Sequence, residues 1–227
     1  RGGMASHGGI IGVVIAMIIF ARRHTLPSLH LIDLMAFIAP PGLFLGRIAN
    51  FINGELWGKA VQDAWQLDPP WWSVKYPDEV LYGQIDLSNV GTATNNQQVT
   101  NEIVFQSLME GDQVLTSEIV PMLTAWWPSQ LIQAICEGPI LMVVLVLVWL
   151  NPRRPGIISG WFLLTYGALR ICTEIVRQPD EGIEIIAGLQ RGQLLSVAMV
   201  LGGLTMILIC RNRSVPTICG LSKSNKQ

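Results

Sequence analysis

Three charged residues, Arg170, Glu174 and Arg177, fall within or just beyond the apolar stretch 157–176. Twenty residues of that composition can cross a hydrocarbon core of about 30 Å, rising about 1.5 Å each. Ionised groups in such a segment are costly, and they usually face a protein interior or a watery cavity. Spaced i, i+4 and i+7, the three should share one inward face of a single helix. Glu174 could simply neutralise its neighbours, but two arginines and one glutamate leave a positive charge to be matched. An anion that itself lives in the membrane, such as a phospholipid headgroup, would match it. Tyr166, four residues before Arg170, lies on the same face and could donate a further hydrogen bond.

A second intramembrane arginine, Arg47, occurs in Gly46-Arg-Ile-Ala-Asn-Phe-Ile-Asn-Gly-Glu-Leu-Trp-Gly58. Its guanidinium is a planar fork suited to phosphate oxygens, and Asn50 at i+3 adds neutral donors. The structural alternative is an arginine paired with Glu55, Glu137 or Glu174. His7, in the glycine-rich run with Gly8 and Gly9, can accept a proton near neutral pH at the mouth of the first apolar segment. Taken alone, an interfacial histidine with glycines packed against a neighbouring helix is the simpler reading. Gln130, Glu137 and Gln193 are individually better explained as helix starts or interhelical hydrogen bonds than as catalysts.

These residues need a membrane scaffold, and the composition supplies one. Half of the 227 residues are hydrophobic and 14% are charged, with a mean hydropathy of +0.43, which excludes an ordinary soluble domain. Apolar segments run over 8–21, 31–52, 131–150, 157–176 and 190–210, giving an all-α polytopic membrane protein with five spans. Pro40-Pro41-Gly42 should kink or break the second of them. Residues 55–128 carry ten acidic and two basic residues, a net of −8, leaving +7 on the rest of a chain whose total is −1. That pattern predicts a small, loop-rich outer head over 55–128, with membrane segments over 1–54 and 129–212 and a tail over 213–227.

Arg22-Arg23-His24, Arg153-Arg154 and the tail with Arg211, Arg213, Lys223 and Lys226 sit at alternate segment ends. By the positive-inside rule these ends are cytoplasmic and the head faces outward. Within the head, short strands are expected near 102–109 and 113–120. Trp57, Trp65, Trp71, Trp72, Trp126 and Trp127 bracket it, as aromatic residues do at headgroup level. Cys136, Cys172 and Cys210 fall in apolar segments without metal spacing. The chain opens at Arg1 in a glycine-rich turn, with neither methionine nor signal peptide, as a fragment would.

Together, His7-Gly-Gly9, the Gly46 to Gly58 motif, Pro128-Ser-Gln130, Tyr166-Gly-Ala-Leu-Arg170 and Glu174-Ile-Val-Arg-Gln-Pro-Asp180 resemble the prolipoprotein diacylglyceryl transferase family. The long central motif is the specific one; His-Gly-Gly alone would carry little weight. The resemblance implies a seven-helix fold of which the first two helices are missing here. It also implies a bacterial inner-membrane location with the site toward the periplasm. The implied reaction transfers a diacylglyceryl group from phosphatidylglycerol to the lipobox cysteine of a preprolipoprotein, with no metal, organic cofactor or nucleic acid. On that footing His7 is the base, Arg47 and Arg170 clamp phosphate, and Gly8, Asn50, Glu55, Gly58, Gln130, Tyr166, Glu174 and Arg177 bind substrate. Which of His7 or an arginine matters more for activating the thiol stays open.

The sequence departs from the family pattern at Trp127, Ile132 and Gln133, where histidine, tyrosine and glutamate are common, and at Ala49, where glycine is common. An inactive phospholipid-binding relative is the competing reading. A transporter would also place charges in membrane helices, but along both halves of the bilayer. An intramembrane serine protease built on Ser6 and His7 is disfavoured, since adjacent residues rarely offer nucleophile–base geometry and no Gly-x-Ser-x-Gly elbow occurs.

Overall fold

The computed structural model describes residues 6–82, 101–178, 191–218 and 220–221, with the side chains of Ser6, His7 and Arg191 outside that description. Among the described residues the secondary structure is helical, and pairing of extended backbone is limited to isolated bridges. The helices are α1 (Ser6–Arg23), α2 (Ser28–Ile52), α3 (Asn101–Glu110), α4 (Gln113–Ile119), α5 (Ser129–Ile135), α6 (Leu141–Trp149), α7 (Ile157–Thr173) and α8 (Arg191–Asn212). A π-helical turn, Cys136–Ile140, joins α5 to α6.

Among the described residues three helical runs are long and apolar enough to cross a membrane: Ser28–Ile52, Ser129–Trp149 and Gly192–Asn212. Their outer faces stay apolar, with Leu34, Ile38 and Leu45 exposed on α2 and Leu201, Leu204, Leu208 and Ile209 on α8. A helix apolar all round is stable only where its solvent is apolar too. Of the kink or break expected at Pro40-Pro41, the break does not occur: α2 runs on through both prolines. A membrane helix can tolerate the loss of two backbone donors when its neighbours re-satisfy the freed carbonyls.

The chain divides into two compact units. The first comprises Arg1–Ile48, Ile132–Ile175 and Pro179–Gln227. Its centre is an apolar cluster of Leu141, Leu145, Trp149 and Ile158, against which Phe37, Leu43, Trp161 and Tyr166 pack. Phe37 meets the Trp149 ring edge-on at 5.1 Å. Helices α7 and α8 lie antiparallel along a seam of small residues. A Cβ on Gly160 would meet Gly203 O at 3.1 Å, and one on Gly167 would meet Ser196 O at 2.8 Å. Since lipid tails are as apolar as leucine, close backbone approach of this kind is what membrane helices use to associate.

One end of this unit gathers the basic loops. Arg153 N donates to Ile218 O at 3.2 Å and Ile218 N returns the bond at 2.9 Å. Arg154 donates to the Arg211 carbonyl at the end of α8. Gly156 precedes α7 with φ +97, a conformation open to glycine, and a Cβ there would press on Cys210 Sγ and Met206. Asp33 of α2, 2% exposed, holds that turn. Its carboxylate accepts Gly156 N–H at 2.7 Å, Ser159 N–H at 2.8 Å and the Ser159 hydroxyl at 2.5 Å. An acidic residue from one helix thus caps the N-terminus of another, where free N–H groups and the helix dipole favour an anion.

The second unit comprises Ala49–Leu131 and Val176–Gln178. The strands expected near 102–109 and 113–120 are instead α3 and α4. Val104 and Leu108, then Leu115 and Ile119, recur at i, i+4, and Asp112 caps α4 by accepting the Val114 and Leu115 N–H groups. These side chains close a core with Val80 and Leu123. Trp57 and Trp126 belong to an aromatic stack with Tyr76 rather than to an outer rim, Trp57 lying parallel to Tyr76 at 4.9 Å. Trp71, by contrast, is 94% exposed. Buried Glu79 accepts both the N–H and the hydroxyl of Thr124, at 2.9 and 2.5 Å.

Candidate functional site

In the first unit the chemistry converges on Glu137, whose side chain is fully buried. Arg47 of α2 donates through Nε to Oε2 at 2.9 Å and through Nη2 to Oε1 at 3.2 Å. Arg170 of α7 donates through Nη1 to Oε1 at 3.3 Å, and its Nη2 stands 3.7 Å from Glu174 Oε2. Tyr166, a helical turn before Arg170, is half-buried and stacks on Phe162 at 5.7 Å. Two of the three helix runs that meet here are among the apolar spans.

The sequence builds this meeting point locally. Pro139 lacks an N–H, so the α-helical ladder opens into the π turn that carries Glu137. Gly138 lets α2 come close, because a Cβ there would lie 2.6 Å from Phe44 Cβ. Phe44 sits three residues before Arg47, so this close approach brings the guanidinium within reach of the carboxylate. Arg47 and Arg170 keep side-chain exposures of 16% and 14%, whereas Glu137 keeps none. The carboxylate is enclosed, and the two guanidinium groups reach the accessible edge.

The expected sharing of one helical face by Arg170, Glu174 and Arg177 does not hold. Helix α7 ends at Thr173, Glu174 opens a 3-10 turn, and Arg177 belongs to the second unit, bridged through its backbone to Gly58. Arg47 and Arg170 face two carboxylates, Glu137 and Glu174, so the charges of these four residues balance. Asp33 is absent from the sequence reading, and Glu137 enters it only as a possible partner of Arg47 or an interhelical hydrogen-bonding group. Each is an acid inside an apolar segment, the same signal that singled out the arginines.

His7 lies in the first turn of α1, and its side chain is outside the described residues. Gly8 and Gly9 are exposed, and a Cβ on either would meet nothing within 4 Å, so the described chain gives them no packing role.

The remaining candidates are in the second unit, where a tight loop follows α2. Gln130, 1% exposed, donates to Glu55 O at 2.7 Å and accepts the Tyr76 hydroxyl at 3.1 Å. Ser129 donates to Leu56 O at 3.2 Å, and Trp57 Nε1 to Gly54 O at 2.7 Å. These bonds hold Leu56 at φ 58, a left-handed conformation unusual for a branched residue. Gly58 is buried, and a Cβ there would overlap the Trp127 and Val176 carbonyl oxygens. Gln130 and Gly58 therefore shape this loop, Glu55 itself is exposed, and Asn50 is half-buried with its carbonyl accepting Glu55 N at 2.9 Å.

A family model described as prolipoprotein diacylglyceryl transferase matches residues 1–209. A Bdellovibrio bacteriovorus protein named phosphatidylglycerol–prolipoprotein diacylglyceryl transferase is 38% identical over 92% of this chain and 66% of its own length. Proteins of the same name from Photorhabdus laumondii and Escherichia coli O1:K1 are each 36% identical, over 91% and 94% of the chain and 62% and 65% of their own lengths. The chain thus spans 62–66% of the length of these relatives. On that match the chain belongs to the prolipoprotein diacylglyceryl transferase family.

Proposed function

We propose that the protein to which this chain belongs transfers the diacylglyceryl group of phosphatidylglycerol to the thiol of a lipobox cysteine in a preprolipoprotein. The observation that carries this reading is the convergence of Arg47 and Arg170, from two different helices, on the single buried carboxylate of Glu137. Enclosed behind the guanidinium groups, Glu137 fixes both forks without competing for their exposed edges. With the four charges formally balanced, a lipid phosphate joins the site as an added anion, drawn by directed N–H donors rather than by excess charge.

In the proposed reaction the thiolate sulfur attacks the glyceryl carbon that bears the phosphate. The C–S bond forms as the C–O bond breaks, and glycerol phosphate leaves with the bonding electron pair. Thiolate is the reactive form, and His7 is the proposed acceptor of the thiol proton. Arg47 and Arg170 offset the charge that grows on the departing phosphate. Tyr166 and Glu174 steady the two arginines, while Gly8, Asn50, Glu55, Gly58, Gln130 and Arg177 are assigned to binding or shaping the substrate path. We further assign five membrane spans to this chain, adding α1 and α7 to the three long apolar helices. Residues 55–128 form the head, facing the periplasmic side of a bacterial inner membrane, and the basic loops are cytoplasmic.

The test uses the full coding sequence expressed in membranes, purified in detergent and given lipobox peptide with acyl-labelled phosphatidylglycerol. Label should reach the peptide cysteine, and it should be lost in His7→Ala and Arg170→Gln. A folded protein that retains phosphatidylglycerol but transfers no label would sink the enzyme reading in favour of a lipid-binding relative. Solute uptake by proteoliposomes without transfer would point to a transporter.

A further inference from the structure

We infer that the basic end of the first unit carries a second lipid site, which binds one anionic phospholipid as a structural ligand rather than as substrate. A groove of about 380 Å³ runs along α8, lined by Gly202, Thr205, Met206 and Ile209, with Leu29 of α2 on its other wall and Arg213 at its end. A second hollow of about 320 Å³ adjoins it through Leu29 and Arg213, and is lined further by Pro27, Arg154 and Val215. The two together have the layout of an amphiphile's mould, an apolar trough opening onto a pair of guanidinium groups. Among the described residues neither Arg154 nor Arg213 takes part in an ion pair. No acidic residue occurs over 150–160 or 205–227. The nearby acid on α2, Asp33, is buried and committed to Gly156 and Ser159.

Charge complementarity selects the occupant. Arginines at the polar boundary of an apolar trough fit a phosphate headgroup with its acyl chain laid along α8, and a neutral lipid or a detergent chain would leave them unmatched. This site differs from the Arg47–Arg170 cluster in position as well as in charge. Leu29 and Arg47 are 18 residues apart on α2, roughly 27 Å at the helical rise, close to the thickness of a hydrocarbon core. A lipid bound here would tie α2 to α8 at the end where the Gly156 turn sets the start of α7.

The probe is dioleoyl phosphatidic acid, with dioleoyl phosphatidylcholine as the neutral control, added to the full-length protein in detergent and followed by native mass spectrometry. The unsubstituted protein and Arg47→Gln should both retain a phosphatidic acid adduct at this site. Arg154→Gln/Arg213→Gln should bind it about twenty-five-fold more weakly, taking each arginine near the headgroup as roughly a fivefold gain. Gly202→Trp fills open space, since a Cβ there meets nothing within 4 Å, and should exclude the lipid without displacing a neighbour. A photoreactive residue at position 202 should crosslink to lipid. Equal retention of phosphatidylcholine, an adduct unchanged in the double arginine variant, or a crosslink from position 202 to another segment of the chain would each overturn the proposal. The last result would show that the groove is a helix-packing surface. Loss of the adduct in Arg47→Gln alone would assign the lipid to the other site.

Discussion

Two buried carboxylates of the first unit, Asp33 and Glu137, pose the same physical problem and meet it differently. Each is almost or wholly inaccessible, and each holds two helices together from within an apolar segment. Asp33 is satisfied by two backbone N–H groups and a hydroxyl at the start of α7, with no cation bonded to it among the described residues. Glu137 is satisfied by two guanidinium groups. Backbone donors at a helix end are used up by the cap and have nothing left for a ligand. A guanidinium has five donors, so an arginine can be anchored by one carboxylate and still address a second anion. Buried charge alone therefore does not mark a site. The donors left over on its partners do.

Removing Glu137 should have the largest effect. Glu137→Leu strands Arg47 and Arg170 without their shared partner, and breaking a buried pair of this kind costs about 3–5 kcal/mol. Thermal unfolding in detergent should show that loss, with transfer abolished. If the variant were as stable as the parent protein, the hub assignment would be wrong. Next comes Arg170→Gln, which should lower the turnover of peptide modification by about 10²–10³-fold, the usual cost of one charge-stabilising donor. Arg47→Lys should fall short of full activity, because an ammonium cannot reproduce the bidentate contact with Glu137.

Asp33→Ala should act on stability alone, by about 2 kcal/mol, from lost capping and stranded donors. Activity per folded molecule should hold, measured as turnover normalised to the native fraction. A hundredfold fall in turnover with unchanged stability would erase the contrast between the two acids.

That contrast was half visible in the sequence. Arg47 and Arg170 stood out because ionised groups in apolar helices are few, and the same logic applied to Asp33 would have found it, and would have raised Glu137 from one possible partner among three to a candidate centre. What sequence could not supply was pairing, since the choice among Glu55, Glu137 and Glu174 for Arg47 depends on how closely α2 approaches Gly138. The helical-face argument failed at Arg177 because helix ends are set by local terms. Pro179 disfavours helical geometry at the residue before it, so the Gln-Pro step was a warning. The five apolar segments were legible from composition, and each carries a helix. The head was less so. Its short helices α3 and α4 show only two and one i, i+4 apolar pairs, Val104–Leu108 and Phe105–Met109, then Leu115–Ile119, too little periodicity to separate helix from strand.

A buried polar pair with no charge at all extends the comparison to its weakest case. Tyr76 and Gln130, 4% and 1% exposed, bond to each other inside the second unit. Tyr76→Phe removes a neutral hydrogen bond and should cost only about 0.5–1.5 kcal/mol, partly because Gln130 keeps its bond to Glu55 O. The pH dependence gives the sign. Burial pushes the Tyr76 phenol above its usual value near 10, outweighing the bond to Gln130. The folded state therefore holds its proton at a pH where the unfolded chain releases it. That contribution is intact below pH 10 and fades as pH rises toward the folded value. Urea unfolding followed through the fluorescence of Trp57, which stacks on Tyr76, should show the parent protein losing more stability between pH 9 and 11 than Tyr76→Phe. Parallel losses in the two would mean that the phenol ionises as freely in the fold as outside it. The order Glu137, Asp33, Tyr76 would then reflect burial alone, not the kind of partner each group has.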